Sequence, residues 1–196
     1  DLRIGSKLPT ERAIAEELGT GRNSTREALS ILHGMGMIER VQGSGNYISK
    51  DAGGSIHRIL RMMLALGTIT GKEIADFRCM MEKAVCLDLL ERGLSREQQI
   101  RFEVILREME AAPSEEFLEL DKTFHAQLIC VTENPLFILL LESVSELYQE
   151  QIARVLQHMD HAGRREILTQ HQAIYYHLTQ KHKEAMLEAI DRHYIR

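Results

Sequence analysis

The chain has 196 residues, of which 44% are hydrophobic and 5% aromatic, with three prolines and a formal net charge of −5. This length is enough for two small hydrophobic cores, and the few prolines and aromatic residues favour helices over sheet. No apolar run approaches the roughly 20 residues that span a bilayer, and no signal-like start is visible, so we expect a cytoplasmic protein with no membrane partner. The three cysteines lack a CxxC spacing, which disfavours disulfides and cysteine metal sites.

Two short amphipathic helices joined by a glycine turn are predicted after residue 8. Thr10 follows a proline and is suited to the N-cap of the first helix, while Glu11 lies near the positive end of the helix dipole. Residues 19–21 contain two glycines and break the helix before the apolar period resumes. We expect the apolar faces of the two helices to pack together. These faces are formed by Ile14, Ala15, Leu18, Ala28, Leu29 and Leu32.

A glycine-tipped hairpin is predicted next. The second helix ends at residues 34–36, and residues 38–41 are expected to pair with residues 46–48 across the turn at 43–45. Two helices and a hairpin in this order predict a winged helix-turn-helix, a fold that reads DNA. The N-terminal part of its second helix, where recognition helices contact bases and phosphates, carries Arg22, Asn23, Ser24 and Arg26. The alternative is a structural helical hairpin whose arginines are only solvated.

Three short segments of this region carry a family resemblance. They are Leu8-Pro9-Thr10-Glu11-Arg12, Arg26-Glu27-Ala28-Leu29 and Gln42-Gly43-Ser44-Gly45. With them, the region resembles the DNA-binding domain of the GntR family of bacterial transcription regulators. The resemblance implies double-stranded operator DNA as a partner, and it implies the DNA-contacting residues Arg12, Arg22, Asn23, Arg26, Gln42 and Gly43.

The sequence departs from the family pattern in three places. Gly21 stands where the family usually has Ser or Thr. Ala13 stands where the family often has Glu, so Thr10 must cap its helix without a capping box. The chain also opens where the family's first helix should end. The resemblance therefore implies a winged helix-turn-helix domain, residues 1–50, that is incomplete at its start.

Charge is distributed unevenly along the chain. Residues 1–50 hold seven Lys and Arg against six Asp and Glu, about +1, which leaves −6 for the remainder. The acidic excess thus lies outside the predicted DNA reader. Because few phosphates are neutralised per chain, we expect DNA binding to need a homodimer and direct base contacts.

A short polar segment, residues 51–55, is rich in glycine and is predicted to be a flexible linker. Everything after it has helical period, so residues 56–196 are predicted to form a bundle of about six to seven helices that binds a ligand and dimerises. The fold class is therefore mostly α. The expected helices are 56–67, 72–92, 96–110, 115–132, 136–159, 164–180 and 183–196.

One group of residues in the predicted bundle has the composition of a metal site. Asp121 and His125 are four residues apart, so their side chains project from one helix face towards the same point. His171 and His193 lie on two later helices. One carboxylate and three imidazoles are a suitable ligand set for Zn²⁺, Ni²⁺, Mn²⁺ or Fe²⁺. The alternative is chance, since nine histidines spread over seven helices will produce some such spacing.

A second resemblance favours the metal. The matching features are Arg78-x-x-x-Glu82, Asp121-x-x-x-His125, Glu133-Asn134-Pro135, His171-x-x-Ile174 and Ala189-Ile190-Asp191-Arg192-His193. With these, residues 72–196 resemble the FCD domain, the ligand-binding domain of the FadR subfamily of GntR regulators. The resemblance implies a divalent metal, zinc before nickel, manganese or iron, and it implies the ligands Asp121, His125, His171 and His193.

The same resemblance implies an effector, a small carboxylate or hydroxy acid that fills open metal positions. Arg78 matches the arginine that often binds such a ligand, and a planar guanidinium suits a bidentate carboxylate contact. The alternative for Arg78 is a helix salt bridge to Glu82. Asn134 is a second candidate to line the effector pocket, although helix capping explains it equally well.

Together the two resemblances imply a metabolite-responsive transcription regulator that is bound to the nucleoid. Most members of the family are repressors, and we expect this chain to act as one. Two alternatives stay open: a metal-dependent enzyme that uses the Asp/His₃ centre, and a DNA-binding dimer whose metal is purely structural. Against an enzyme, no residue clearly supplies a general base beside the centre, and an enzyme would not need the DNA reader.

Overall fold

The computed structural model describes residues 2–50, 53–157 and 159–194, and over these ranges it is mostly helical, as predicted. Two strands form an antiparallel hairpin between the second and third helices. The helices are α1 Glu11–Leu18, α2 Arg22–Gly34, α3 Gly53–Ala65, α4 Gly71–Arg92, α5 Arg96–Ala111, α6 Ser114–Cys130, α7 Pro135–Gln157, α8 His161–Thr179 and α9 Lys183–Tyr194, and the strands are β1 Ile38–Val41 and β2 Gly45–Ile48. The chain divides into two compact units, Asp1–Ile59 and Leu60–Arg196.

The first unit begins with the predicted helix pair. Thr10 caps α1, since its hydroxyl oxygen accepts a hydrogen bond from the Ala13 backbone N–H at 3.2 Å. Gly19 ends the helix in the left-handed conformation, with φ +62°. Gly21 occupies the N-cap of α2 and forms no side-chain cap there. Ala15 and Leu29 are buried where α1 packs on α2, and Ile14 and Leu32 are partly buried, as predicted. Leu18 and Ala28 were expected on the same faces but are exposed.

The hairpin after α2 is the predicted wing. Ile38 pairs with Ile48 and Val41 pairs with Gly45, so β2 begins one residue earlier than expected. Gly43 lies at the tip with φ +74°, a conformation that residues with a side chain rarely adopt. Helix, turn, helix and wing together confirm the winged helix-turn-helix.

The segment predicted as a linker is partly helical. Asp51 and Ala52 lie outside the described residues, whereas Gly53–Ala65 forms α3 and thus includes three of the five linker residues. A long-range contact holds the start of this helix, because the Ser55 hydroxyl donates a hydrogen bond to the backbone carbonyl of Met35. The division between the two units falls inside α3, after Ile59, rather than at residues 51–55.

The second unit is the predicted helical bundle. Helix α8 packs on α9, α6 packs on α5 and α7, and α4 packs on α7 and α9. Capping boxes at Thr70–Glu73 and Ser95–Gln98 start α4 and α5. Among the helices that the structure describes, none is long and apolar enough to cross a membrane. The core is formed by large buried side chains that include Phe102, Phe124, Leu128, Ile174, Met186 and Ile190.

Candidate metal centre

The four predicted metal ligands come together in the second unit. Asp121 and His125 lie one turn apart on the buried face of α6, His171 lies in α8, and His193 lies near the end of α9. All four residues are buried, with exposed fractions between 0% and 5%. One potential ligand atom from each lies within 4.8 Å of every other. Three helices thus hold one carboxylate and three imidazoles around a common point.

The imidazoles face one another through their Nε2 atoms. The Nε2 atom of His125 lies 3.3 Å from that of His171 and 3.1 Å from that of His193. Asp121 Oδ1 lies 3.6 Å from His171 Nε2. Nitrogen ligands about 2.1 Å from one ion stand about 3.0 to 3.4 Å from each other at octahedral to tetrahedral angles. The observed separations therefore fit a shared divalent cation.

In two of these rings, an oxygen atom faces Nδ1, the nitrogen that points away from the centre, and it determines which ring nitrogen carries the hydrogen. His125 Nδ1 lies 2.8 Å from Glu82 Oε1, and His193 Nδ1 lies 3.1 Å from Gln170 Oε1. Because Gln170 Oε1 is an acceptor, Nδ1 of His193 carries the hydrogen in the neutral ring, and the nearby negative charge of Glu82 favours hydrogen on Nδ1 of His125 as well. The Nε2 lone pairs of both rings then point inward. Two such lone pairs 3.1 Å apart repel each other unless a cation lies between them. This donor arrangement therefore suits a metal ion.

Two further contacts hold the ligands in place. The ring of His171 stacks on that of Phe124, with centroids 4.2 Å apart and an interplanar angle of 20°. The side-chain amide of Gln149 donates a hydrogen bond to Asp121 Oδ2 at 3.3 Å. Ligands that are oriented before the ion arrives lose less conformational freedom when it binds.

Arg78 lies beside this centre and is fully buried. Its Nε donates to Glu82 Oε1 at 3.2 Å, and its guanidinium carbon lies 4.6 Å from the centre of the Tyr148 ring. Among the described residues, its two terminal nitrogens, Nη1 and Nη2, have no hydrogen-bond partner. The predicted salt bridge to Glu82 therefore exists, and it leaves the bidentate edge of the guanidinium unused.

The two buried carboxylates of the site are ionised. Burial alone would raise the pKa of Glu82, but His125 and Arg78 lower it from 4.5 to about 2. Burial also opposes ionisation of Asp121, yet the neighbouring His125, His171 and Arg78 lower its pKa below the usual value. Both side chains thus act as negatively charged acceptors at neutral pH.

The sequence predicts the four candidate ligands and Arg78, but it does not reveal the residues that contact their outer sides. It predicts Glu82 only as a salt-bridge partner of Arg78, and it does not predict Gln149 or Gln170. A signal was available for two of the three, since Gln170 directly precedes His171 and Glu82 lies one turn after Arg78. The packing that aims these side chains at the histidines is tertiary, so no local pattern reveals it.

Asn134, the second predicted effector residue, lies apart from the buried cluster. It is exposed at the start of α7, and its side-chain oxygen accepts hydrogen bonds from the backbone N–H groups of Leu136 and Phe137 at 3.0 and 3.4 Å. Helix capping accounts for these contacts. An effector contact of Asn134 stays a prediction.

The six predicted DNA-contacting residues are exposed in the first unit. Arg22 and Asn23 begin α2, while Gln42 and Gly43 form the tip of the wing. Arg26, one turn into α2, makes an ion pair with Glu11 of α1 at 3.1 Å. Exposure at the start of the second helix and at the wing is the arrangement in which winged helix-turn-helix domains contact DNA.

Both units of the chain match families of known proteins. Residues 1–48 match the model of bacterial regulatory proteins of the gntR family, and residues 73–196 match that of the FCD domain. The HTH-type transcriptional regulator LutR of Bacillus subtilis (strain 168) is 30% identical over 152 residues, which cover 76% of this chain and 69% of LutR.

Two further relatives cover more of the chain. The Glc operon transcriptional activator of Escherichia coli (strain K12) is 27% identical over 191 residues, covering 89% of this chain and 72% of the activator. The solved structure of a GntR protein from Streptococcus agalactiae superposes with a TM-score of 0.75 at 25% identity, covering 99% of this chain and 89% of that one. The chain therefore belongs to the GntR family, as a DNA-binding transcription regulator with an FCD effector-binding domain, and it is not an enzyme.

Proposed function

We propose that the FCD domain binds a divalent metal through Asp121, His125, His171 and His193, and that Arg78 binds a small organic acid beside it. The observation that carries this proposal is the position of Arg78 beside a group of four possible metal ligands. One ligand atom from each of the four residues lies within 4.8 Å of every other, and the two terminal nitrogens of Arg78 are buried without a hydrogen-bond partner among the described residues. Zinc is the first candidate, followed by nickel, manganese and iron, because all of them accept imidazole and carboxylate ligands.

The residues around the centre have distinct roles in this proposal. The three histidines and Asp121 hold the ion, and when bound it would accept a carboxylate or hydroxyl oxygen of the effector at a position the protein leaves open. Arg78 would hold a carboxylate of the effector through Nη1 and Nη2, since this planar edge matches two carboxylate oxygens. Such a charge-assisted contact would satisfy N–H groups that are otherwise buried without acceptors.

The first unit is the part of the chain that we propose binds DNA. Two copies of the chain would place their α2 helices in successive major grooves of a pseudo-palindromic operator, with centres roughly 34 Å apart or at the shorter spacing of some winged dimers. Such binding would place the regulator at the nucleoid in the cytoplasm. The residues proposed to contact this DNA are Arg12, Arg22, Asn23, Arg26, Gln42 and Gly43.

Effector binding would act on DNA through the homodimer. If the acid prefers one conformation of the FCD domain, it shifts the population towards that conformation by its differential binding energy, and operator affinity changes accordingly. We propose repression that the acid relieves. Because one relative is named an activator, the sign is tested directly. Higher expression of a target promoter after deletion of the gene supports repression, and lower expression contradicts it.

Native mass spectrometry of the purified full chain tests the ligand half of the proposal. We expect a dimer that carries one metal ion per subunit, together with a co-purified acid or a vacant site that an added acid fills. Added acids would comprise hydroxy acids and dicarboxylic acids of two to six carbons. A chain without metal after incubation with Zn²⁺, Ni²⁺ and Mn²⁺ would contradict the metal site.

A gel shift tests the regulatory half with the same panel of acids and an operator selected in vitro. We expect at least one acid to change operator affinity, and the change should disappear in Arg78→Met. Identical operator binding with and without every acid would favour the alternative in which the metal is purely structural.

A further inference from the structure

A single oxygen atom of Glu82 contacts both halves of the proposed site. Glu82 Oε1 lies 2.8 Å from Nδ1 of His125 and 3.2 Å from Nε of Arg78. The residue is fully buried in α4, outside the set of metal ligands. The metal ligand His125 and the anion-binding Arg78 therefore share one acceptor.

The two oriented histidines of the centre offer an internal comparison. Behind His125 stands the carboxylate of Glu82, whereas behind His193 stands the neutral amide oxygen of Gln170. Both oxygens lie at the Nδ1 side of their ring, so Nε2 faces inward in each. Only the carboxylate also makes the imidazole a stronger donor to a cation, because its negative charge stabilises positive charge on the ring. His125 is therefore the imidazole whose donor strength depends on a charged neighbour.

Arg78 interacts with the same negative charge of Glu82 as His125 does. Its Nε hydrogen bond draws on the same oxygen that faces His125, and its positive charge lies beside the proposed cation site. An anion bound at Nη1 and Nη2 would neutralise Arg78 and leave more of the negative charge of Glu82 to His125. Anion binding and metal binding should then favour each other, and this reciprocity is a thermodynamic requirement of any coupling between two sites.

We propose that Glu82 is a positioning residue that couples the metal centre to the effector site, because its Oε1 atom holds both His125 and Arg78. This inference rests on the proposed function, since it assumes that the four ligands bind metal. It adds a residue and a direction of coupling that the ligand set alone does not provide.

Competition with a chromophoric chelator for Zn²⁺ tests the first half of the inference on the full chain. We expect Glu82→Gln to weaken zinc binding about 10- to 100-fold, the usual effect of removing the partner of a metal-bound histidine. We expect the reverse change behind the other ring, Gln170→Glu, to tighten it. Cys86→Ser, one turn after Glu82 and also buried, serves as the matched control and should leave zinc affinity unchanged.

Proton NMR of the zinc-loaded protein separates positioning from general destabilisation. The proton on Nδ1 of His125 should move upfield in E82Q, because an amide oxygen is a weaker acceptor than a carboxylate. The corresponding proton of His193 should not move. If E82Q does not fold, Gln170→Glu still tests the principle on a half-buried residue, and an unchanged zinc affinity there refutes the inference.

A double-mutant cycle tests the coupling to Arg78. Arg78→Met should tighten zinc binding in the wild-type background, because it removes both the competing hydrogen bond and a positive charge. In the E82Q background the tightening should be at least threefold smaller, since only the charge effect remains. Equal effects in the two backgrounds would refute the coupling.

The outcomes separate this inference from the proposed function. A wild-type chain that binds no zinc would refute the proposed function. Wild-type binding that E82Q leaves unchanged would refute only the role of Glu82.

Discussion

Removing one imidazole from the centre should abolish stabilisation by metal. His193 is 5% exposed, its Nε2 lies 3.1 Å from that of His125, and it is the proposed ligand from α9. A cation held there joins α9 to α6 and α8. Because the proposed ligands meet only in the folded domain, an ion bound by them would bind the folded state selectively and stabilise it.

The size of this effect follows from mass action. Metal at about 100 times its dissociation constant stabilises the folded state by about 2.7 kcal/mol. In a domain the size of the second unit, 1 kcal/mol raises Tm by about 2 to 4 °C, so zinc should raise Tm by roughly 5 to 11 °C. In His193→Ala, where one of four ligands is missing, we expect a rise of less than about 2 °C at the same zinc concentration.

Differential scanning calorimetry measures this rise on chelator-treated protein before and after zinc is added. His182→Ala is the matched control, because the substitution is the same and His182 is exposed and outside the ligand cluster. The control should keep the full rise. A His193→Ala protein that gains as much as the wild type would refute the four-ligand centre.

Three further predictions concern other parts of the chain. Arg26→Ala should weaken binding of a selected operator by about 1 to 3 kcal/mol in a gel shift, whereas the exposed Arg101→Ala in α5 should not. Gly21→Ser adds an N-cap oxygen to α2 and should stabilise the first unit by a few tenths of a kcal/mol, roughly, in urea unfolding. The pKa of Glu82 is lowered to about 2, so its stabilising contribution is present above pH 4.5 and lost as the pH falls towards 2. The unfolding free energy of the metal-free protein should therefore decrease over that interval, and less so in E82Q.

Helix boundaries were the most predictable feature of this chain because their signals are local. Gly93 follows α4, and Pro113 and Pro135 stand at the starts of α6 and α7, so these ends fall within two residues of the predicted ones. Thr10 likewise caps α1 with its own side chain. Each of these effects depends only on residues a few positions apart.

Contacts between distant residues account for what the sequence did not reveal. The spacing of Asp121 and His125 predicts that they share a face and makes His171 and His193 candidate partners, but no local signal shows that these two later helices meet α6, and the family resemblance is what favours the set. Local composition favoured a flexible segment at residues 51–55, yet Ser55 is held by a carbonyl 20 positions earlier. Burial of the Arg78–Glu82 pair is also a tertiary result, since the same spacing on a helix surface forms an ordinary exposed ion pair.

For Arg78, the salt bridge to Glu82 and a contact with an effector are compatible, because they use different nitrogen atoms of the guanidinium group. The sequence left a choice between a salt bridge to Glu82 and a contact with an effector, but the structure assigns the former to Nε and leaves Nη1 and Nη2 without described partners. A buried donor without an acceptor destabilises a protein by roughly 1 to 3 kcal/mol. An anion that satisfies both nitrogens recovers this energy only in the conformation where Arg78 is buried. That conformational selectivity is what an effector needs in order to change operator affinity without touching DNA.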